Sequence, residues 1–142
     1  SYNRYNITDS LNFLSKFTFR KFINATKIAS SYYLSKLTHK PYHWGLPISI
    51  AIEPTTHCNL RCPECPSGLR SFTRPTGTLD EELFKTILDE LYKDLVYLTF
   101  YFQGEPYLHP KFLELVRYAS GKGIYTATST NAHFLDDENA KK

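Results

Sequence analysis

Beyond Pro47 the hydrophobic positions of the chain follow the two periods that distinguish strands from helices. From Ile48 to Glu53 large apolar residues occupy every second position, which predicts a strand that Pro54 ends. Further along, Thr78 to Glu81 forms a capping box, and apolar residues then recur every three or four positions, which predicts a helix. The apolar face of this helix is made of Leu83, Phe84, Ile87, Leu88, Leu91 and Leu95.

The same alternation of strand and helix continues to the end of the chain. Residues 96–102 are rich in β-branched and aromatic side chains and predict a second strand. Pro110 suits the first position of a second helix that ends at Gly121 or Gly123, and residues 124–130 predict a third strand. Strands separated by single helices predict right-handed parallel βαβ units.

The two faces of the predicted strands differ in polarity. The apolar face, which we expect to meet the helices, consists of Ile48, Ile50, Ile52, Val96, Leu98, Phe100 and Phe102. The other face consists of Ser49, Ala51, Glu53, Tyr97, Thr99, Tyr101 and Gln103. A polar second face favours a partial barrel whose interior holds a ligand over a flat doubly wound sheet. Because a complete (β/α)8 barrel needs about 250 residues, we expect a fragment of a longer protein.

Residues 1–46 form a separate N-terminal region, and residues 47–142 the first part of the barrel. A helix is predicted from Asp9 or Ser10 to about Leu37, followed by a linker over residues 41–47. Its apolar stripe is Leu11, Leu14, Ala25, Ile28 and Tyr32. One interpretation is a basic amphipathic helix on a membrane surface. The other, which its length and mixed polarity favour, is a helical extension packed on the barrel.

Composition narrows the possible classes of protein. With 42% hydrophobic and 22% charged residues, the 142-residue chain is globular, and it contains no apolar run long enough to span a membrane. A net charge of +3 does not demand a nucleic acid partner. The three cysteines lie within eight residues, an odd number that suits a metal or cluster in the reducing cytoplasm rather than a disulfide framework.

These cysteines are the strongest chemical signal in the sequence. Cys58, Cys62 and Cys65 form a C-x3-C-x2-C motif directly after the first predicted strand. Three thiolates can hold three irons of a cubane cluster and leave the fourth iron open to a chelating ligand. The alternative is a non-catalytic zinc-binding Cys3His module, with His43 or His109 as the fourth ligand.

Two further motifs follow the second and third strands, at the same predicted edge. In the run Gln103-Gly104-Glu105-Pro106, glycine allows close approach to the backbone and proline stiffens the turn. The carboxylate of Glu105, beside a backbone carbonyl, can receive an ammonium group. Ser129-Thr130-Asn131 can hydrogen-bond a carboxylate or a ribose, or simply form a turn at the strand end.

Together these motifs resemble the radical S-adenosylmethionine (radical SAM) superfamily over roughly residues 47–135. The cysteine motif, Gln103-Gly104-Glu105-Pro106 in place of the usual Gly-Gly-Glu-Pro, and Ser129-Thr130-Asn131 carry the resemblance. The wider string from Glu53 to Cys62 resembles the SPASM-type branch, whose members often carry a C-terminal domain with auxiliary clusters and many of which modify peptides. The chain then represents the N-terminal part of such an enzyme.

The resemblance implies an α/β fold, namely the first three βα units of a (β/α)6-type partial TIM barrel. It implies that Cys58, Cys62 and Cys65 ligate a 4Fe–4S cluster whose fourth iron is chelated by S-adenosylmethionine. Gly104 and Glu105 then receive the methionine ammonium. The cofactor's carboxylate or ribose is contacted by Ser129, Thr130 and Asn131.

The implied reaction is reductive cleavage of S-adenosylmethionine to a 5′-deoxyadenosyl radical that abstracts hydrogen from a substrate. The substrate expected for this branch is a peptide or protein, and the electron donor a flavodoxin or ferredoxin.

Two residues depart from the usual pattern. Glu64 stands where most members have an aromatic residue near the adenine, and Gln103 replaces the first glycine of the second motif.

Overall fold

The computed structural model describes residues 2–139 of the chain, with side chains described from residue 7 onward. The elements in chain order are α1 (Tyr2–Ser15), α2 (Phe19–Thr38), β1 (Ser49–Ala51), α3 (Pro66–Leu69), α4 (Glu81–Leu91), β2 (Tyr97–Thr99), a 3₁₀ turn (Pro106–Leu108), α5 (Phe112–Gly121) and β3 (Tyr125–Ala127). None of the helices in this described part is both long and apolar enough to cross a bilayer.

The three strands form one parallel sheet in the order β1-β2-β3. Ile50 lies opposite Leu98, and Leu98 lies opposite Thr126. Because α4 connects the first two strands and α5 the last two, the predicted α/β fold of parallel βαβ units is confirmed. We call the edge where the strands begin the amino edge and the edge where they end the carboxyl edge.

Each strand is shorter than its predicted range. The ladder continues only briefly beyond the strands, through bonds from Ile52 N–H to the Thr99 carbonyl and from Phe100 N–H to the Ala127 carbonyl. Past that point the chain turns into loops. Their backbone groups bond to side chains such as Glu53 instead of to a neighbouring strand.

The core lies between the sheet and the two crossover helices. Its buried members are Phe84, Leu88, Leu95, Leu98, Phe100, Phe112, Leu115, Ala119 and Ile124. The predicted apolar faces are wrong at three positions, since Ile48, Phe102 and Leu83 are 36%, 66% and 54% exposed. Ile48 and Phe102 lie outside the three-residue strands, where α4 and α5 do not cover the sheet.

Both predicted helix starts are displaced. The N-cap of α4 is Asp80, whose carboxylate accepts a hydrogen bond from Leu83 N–H at 2.9 Å, and not Thr78. Thr78 instead pairs with the segment after β1. Pro110 precedes α5 rather than opening it, because the His109 ring accepts a bond from Lys111 N–H and holds this stretch in a turn.

The N-terminal region contains two helices rather than the single predicted one. The first begins at Tyr2, and the break over residues 16–18 places Thr18 as N-cap of α2. From α1, Phe13 packs edge-on against Tyr97 and Tyr125, on the polar face of the sheet. The Tyr125 hydroxyl also donates to Asp9 at 2.7 Å.

The predicted apolar stripe is wrong for these helices. Leu11, Leu14 and Tyr32 are 61%, 61% and 60% exposed, and only Ala25 and Ile28 are partly covered. The side chains of α2 that are buried are polar, namely Lys21, Asn24 and Ser31. Hydrogen bonds to the barrel, and not an apolar interface, therefore orient this helix.

Candidate functional site

The segment after β1 is held in place before the cysteine loop begins. Leu79 N–H donates to the Pro54 carbonyl, and Thr56 exchanges bonds with Gly77 through its backbone and hydroxyl. Thr55 forms an antiparallel β-bridge with Thr78, and its hydroxyl lies 2.8 Å from the His57 ring. These contacts fix the position from which Cys58 leaves the carboxyl edge.

The Gln103–Pro106 loop packs directly on this segment at Gly104. A Cβ atom on Gly104 would lie 1.8 Å from the Thr55 carbonyl oxygen, so a side chain cannot be accommodated there. The next residue, Glu105, donates its N–H to the His57 carbonyl at 2.8 Å. This close approach joins two loops of the site, whereas the sequence predicted that Gly104 allows a ligand to approach the backbone.

Glu53, at the end of β1, joins the same two loops through its side chain. Its carboxylate accepts bonds from the N–H groups of Gln103 at 3.0 Å and Gly104 at 3.2 Å. It also forms an ion pair with Arg74 at 2.6 Å. The sequence predicts Glu53 on the polar strand face but does not predict these contacts with the Gln103 loop; the signal for them is its position at the strand end.

The cysteine loop lies against the Gln103 loop. Ser67 donates its hydroxyl hydrogen to the Gln103 carbonyl at 2.8 Å, and a Cβ on Gly68 would lie 2.3 Å from the Cys62 carbonyl. All three cysteines are free thiols; Cys62 is exposed, while Cys58 and Cys65 are partly buried. Hydrogen bonds from the backbone of Gly68 and then Ser67 lower the pKa of Cys65, which favours the thiolate that ligates metal.

The end of β3 is joined to both loops. Glu105 is 2% exposed, and its carboxylate accepts bonds from the Thr130 hydroxyl at 2.7 Å and Asn131 N–H at 2.8 Å. The Asn131 amide in turn donates to the Asn59 side chain, inside the cysteine loop. The structure therefore brings the predicted site residues to one edge, although Ser129 is exposed and outside this hydrogen-bond network.

The donor set fits a cluster with several metal atoms. Among residues 2–139, no three side chains of His, Cys, Asp or Glu converge closely enough to hold one metal ion. His109 cannot complete a zinc site in this conformation, since its Nδ1 accepts from Lys111 N–H and its Nε2 bonds the Leu79 carbonyl. Three thiols spread along one loop suit a cluster that takes one cysteine per iron.

A cavity of about 530 Å³ opens beside Cys58. It is lined by Thr56, His57, Cys58, Ser67, Arg70, Phe72, Arg74 and Thr76. Arg70 and several hydroxyl groups make this wall hydrogen-bond-donating, while the charge of Arg74 is paired with Glu53. The site therefore offers thiols for metal on one side and donors for polar or anionic groups on the other.

Comparison with known families gives one match to this region. The model of the radical SAM superfamily matches residues 52–142, which contain all three motifs at the carboxyl edge. A crystal structure of BtrN in complex with AdoMet and 2-DOIA superposes with a TM-score of 0.61 at 28% identity. That alignment covers 68% of this chain and 40% of BtrN.

Curated relatives align over the same region. A tungsten-containing aldehyde ferredoxin oxidoreductase cofactor-modifying protein of Pyrococcus furiosus is 37% identical over 64% of this chain and 26% of its own length. The PqqA peptide cyclase of Rhodopseudomonas palustris is 34% identical over 67% of the chain and 25% of its own. Mycofactocin maturase MftC of Mycobacterium tuberculosis is 36% identical over 68% of this chain and 24% of its own length. The chain thus spans about a quarter of the length of these relatives.

Proposed function

The chain belongs to the radical SAM superfamily, and on that basis we propose that it carries the cluster-binding and cofactor-binding part of a peptide-modifying or protein-modifying enzyme. The predicted superfamily is confirmed by the match over residues 52–142. A peptide cyclase and a maturase among the relatives agree with the predicted SPASM-type branch. The observation that carries the proposal is the bonding of all three motifs to one another at the carboxyl edge.

Each cofactor group has candidate residues at this edge. Cys58, Cys62 and Cys65 hold a 4Fe–4S cluster, and the lowered pKa of Cys65 supports its role as a thiolate. When bound, the cluster and S-adenosylmethionine supply the one-electron chemistry that generates a 5′-deoxyadenosyl radical able to abstract hydrogen from a substrate.

The ammonium of S-adenosylmethionine binds at Gly104 and Glu105. The Glu105 carboxylate is engaged by Thr130 and Asn131. The Gln103 and Glu105 carbonyls already accept bonds from Ser67 and Leu108, so we assign the ammonium contact to the Gly104 carbonyl. The carboxylate then serves to position the turn. Ser129, Thr130 and Asn131 remain the candidates for the cofactor's carboxylate or ribose.

The cavity beside Cys58 supports a polar substrate. Arg70 can bind and orient an anionic or carbonyl group beside the Arg74–Glu53 pair, and Phe72 provides an apolar wall. A peptide or protein substrate is supported by the named activities of the relatives. The reductant we propose is a flavodoxin or ferredoxin, and the compartment is the reducing cytoplasm, as free cysteines favour.

Anaerobic reconstitution with iron and sulfide tests the proposed ligands. We expect iron and acid-labile sulfide in the ratio of a 4Fe–4S cluster, and we expect Cys62→Ala to lose both. Glu64→Ala is the matched control, because Glu64 is exposed in the same loop and has no proposed ligand role. Zinc uptake without sulfide, or full iron content in Cys62→Ala, would contradict the assignment.

A further inference from the structure

The outward face of α2 is fixed by polar bonds on its inward face. Arg20 forms a bidentate pair with Asp94, with its shortest bond at 2.7 Å. The Lys21 ammonium donates to the Gly123 carbonyl at 2.7 Å, and Asn24 bonds both backbone groups of Leu46. With these side chains engaged, the helix cannot rotate to bury its other face.

That outward face is apolar and aromatic. It exposes Phe19 (80%), Phe22 (63%), Ile23 (40%), Tyr33 (67%) and Leu37 (80%). The side chain of Trp44 is 51% exposed and completes a groove of about 370 Å³ with Phe19, Phe22 and Ile23. The small polar residues Thr26 and Ser30 also line this groove, between the larger apolar side chains. Large apolar side chains clustered at the surface in this way are typical of a binding surface.

The charged side chains within residues 10–52 all have the same sign, although Arg20 is paired with Asp94 and Lys21 is buried. Residues 10–52 contain no aspartate or glutamate but six lysines and arginines. With 100° per residue, Phe19 and Leu37 point in the same direction from the helix axis. Lys27 lies about 80° to one side of that direction and Lys36 about 100° to the other. The apolar stripe is thus bordered by lysines along a helix of 20 residues, about 30 Å long.

We propose that the outward face of α2, together with Trp44, binds peripherally to an anionic lipid surface. Aromatic side chains enter the headgroup region while the bordering lysines contact lipid phosphates. A second copy of this chain is disfavoured as the occupant, because pairing two copies of the same face would bring like charges together. This inference stands independently of the proposed function.

The position of α2 in the fold suits such attachment. Its polar contacts go to Leu46, Asp94 and Gly123, which lie two or three residues before β1, β2 and β3. The helix therefore lies across the amino edge of the sheet. The cysteine loop follows the opposite, carboxyl edge and would remain accessible on the side away from the lipid.

Trp44 provides a direct readout, because it is the single tryptophan of the 142-residue chain. We expect vesicles of phosphatidylcholine containing phosphatidylglycerol to shift its emission to the blue and to co-sediment the chain. Pure phosphatidylcholine vesicles should do neither, and added salt should weaken the binding. The double variant Lys27→Gln/Lys36→Gln should bind about 25-fold more weakly, at about fivefold per lysine.

Apolar and control variants complete the test. Phe19→Ser/Phe22→Ser should abolish the blue shift, whereas Leu83→Ser, on exposed α4 surface, should leave it unchanged. The proposal is overturned if anionic vesicles cause no shift, or if the lysine and phenylalanine variants bind as the parent chain does. A blue shift that grows with protein concentration in the absence of lipid would assign the face to a second copy of the chain instead. Retention of the chain by an immobilised acidic peptide, without binding to vesicles, would assign the face to a protein partner.

Discussion

Two carboxylates organise the carboxyl edge at the scale of single residues. Glu53 joins the end of β1 to the Gln103 loop, and Glu105 joins that loop to the end of β3. Both accept backbone N–H bonds, which are strong when the acceptor is charged. Backbone amides of the Gln103 loop and of the end of β3 are thereby held in one arrangement.

Gly104→Ala should disrupt this arrangement. The new methyl group would lie 1.8 Å from the Thr55 carbonyl oxygen, so the two loops must separate. We expect a loss of unfolding free energy of about 2 kcal/mol or more, measured by urea denaturation, together with weaker S-adenosylmethionine binding. Gly121→Ala is the control, since a Cβ there meets no atom within 4 Å, and it should be neutral or slightly stabilising. Equal stability of the two variants would contradict the close-packing account.

Short motifs made most of the site residues predictable from the sequence. The cysteines, Gly104 and Glu105 lie in local patterns whose chemistry can be recognised without coordinates. The position of Glu53 at the strand end indicates a role in the site, but its partners Gln103 and Arg74 are distant in sequence and could not be predicted. The direction of the Glu105 carboxylate likewise depends on where β3 ends.

At the scale of elements, α4 and α5 are fixed at their starts as well as through their apolar faces. Asp80 caps α4, and Glu81 in its first turn pairs with Lys85 and with Lys111 at the start of α5. A carboxylate in the first turn also interacts favourably with the helix dipole. These contacts set the position of both crossover helices relative to each other.

Asp80→Ala should destabilise the fold by about 1 kcal/mol, because it removes the acceptor for Leu83 N–H. Asp80→Asn retains a capping oxygen and should remain close to the parent. Chemical denaturation of the three chains measures the difference. If Thr78→Ala cost more than Asp80→Ala through loss of helix α4, the predicted capping box would be correct and the observed cap wrong.

The pairing of Glu81 predicts a specific dependence of stability on pH. Hydrogen bonds from Lys111 and Lys85 lower the pKa of Glu81 from 4.5 to about 2. A lowered carboxyl pKa contributes stability above the unfolded value, and this contribution is lost as pH falls from 4.5 toward 2. The parent should therefore be more stable than Glu81→Gln at neutral pH, and the difference should shrink across that interval. A difference independent of pH would exclude this ionisation as its cause.

Helix periodicity predicted α4 and α5 well because apolar packing orients them. It failed for α2, whose inward face consists of Lys21, Asn24 and Ser31. Hydrogen bonds to Asp94, Gly123 and Leu46 determine that orientation, and they cannot be predicted from the periodicity of the local sequence. The strands were predicted to be longer than they are for a related reason. Beyond the observed strand ends, backbone N–H groups bond to side chains such as Glu53 instead of to a neighbouring strand.

At the scale of the whole molecule, the two edges of the sheet carry different chemistry. The amino edge is covered by a basic helix with an apolar outward face, and the carboxyl edge gathers the cysteines, Gly104 and Glu105. This separation matches the general placement of sites at the carboxyl ends of parallel strands. We propose that the carboxyl edge forms an open-iron cluster site for S-adenosylmethionine.

The response of the cluster's EPR signal to S-adenosylmethionine tests this proposal. The chain is reconstituted anaerobically with iron and sulfide, its fold is verified by circular dichroism, and EPR spectra of the reduced protein are recorded with and without S-adenosylmethionine. We predict a cluster signal that changes when the cofactor is added and that is missing from Cys62→Ala. A folded protein whose cluster signal is identical with and without S-adenosylmethionine would contradict the account.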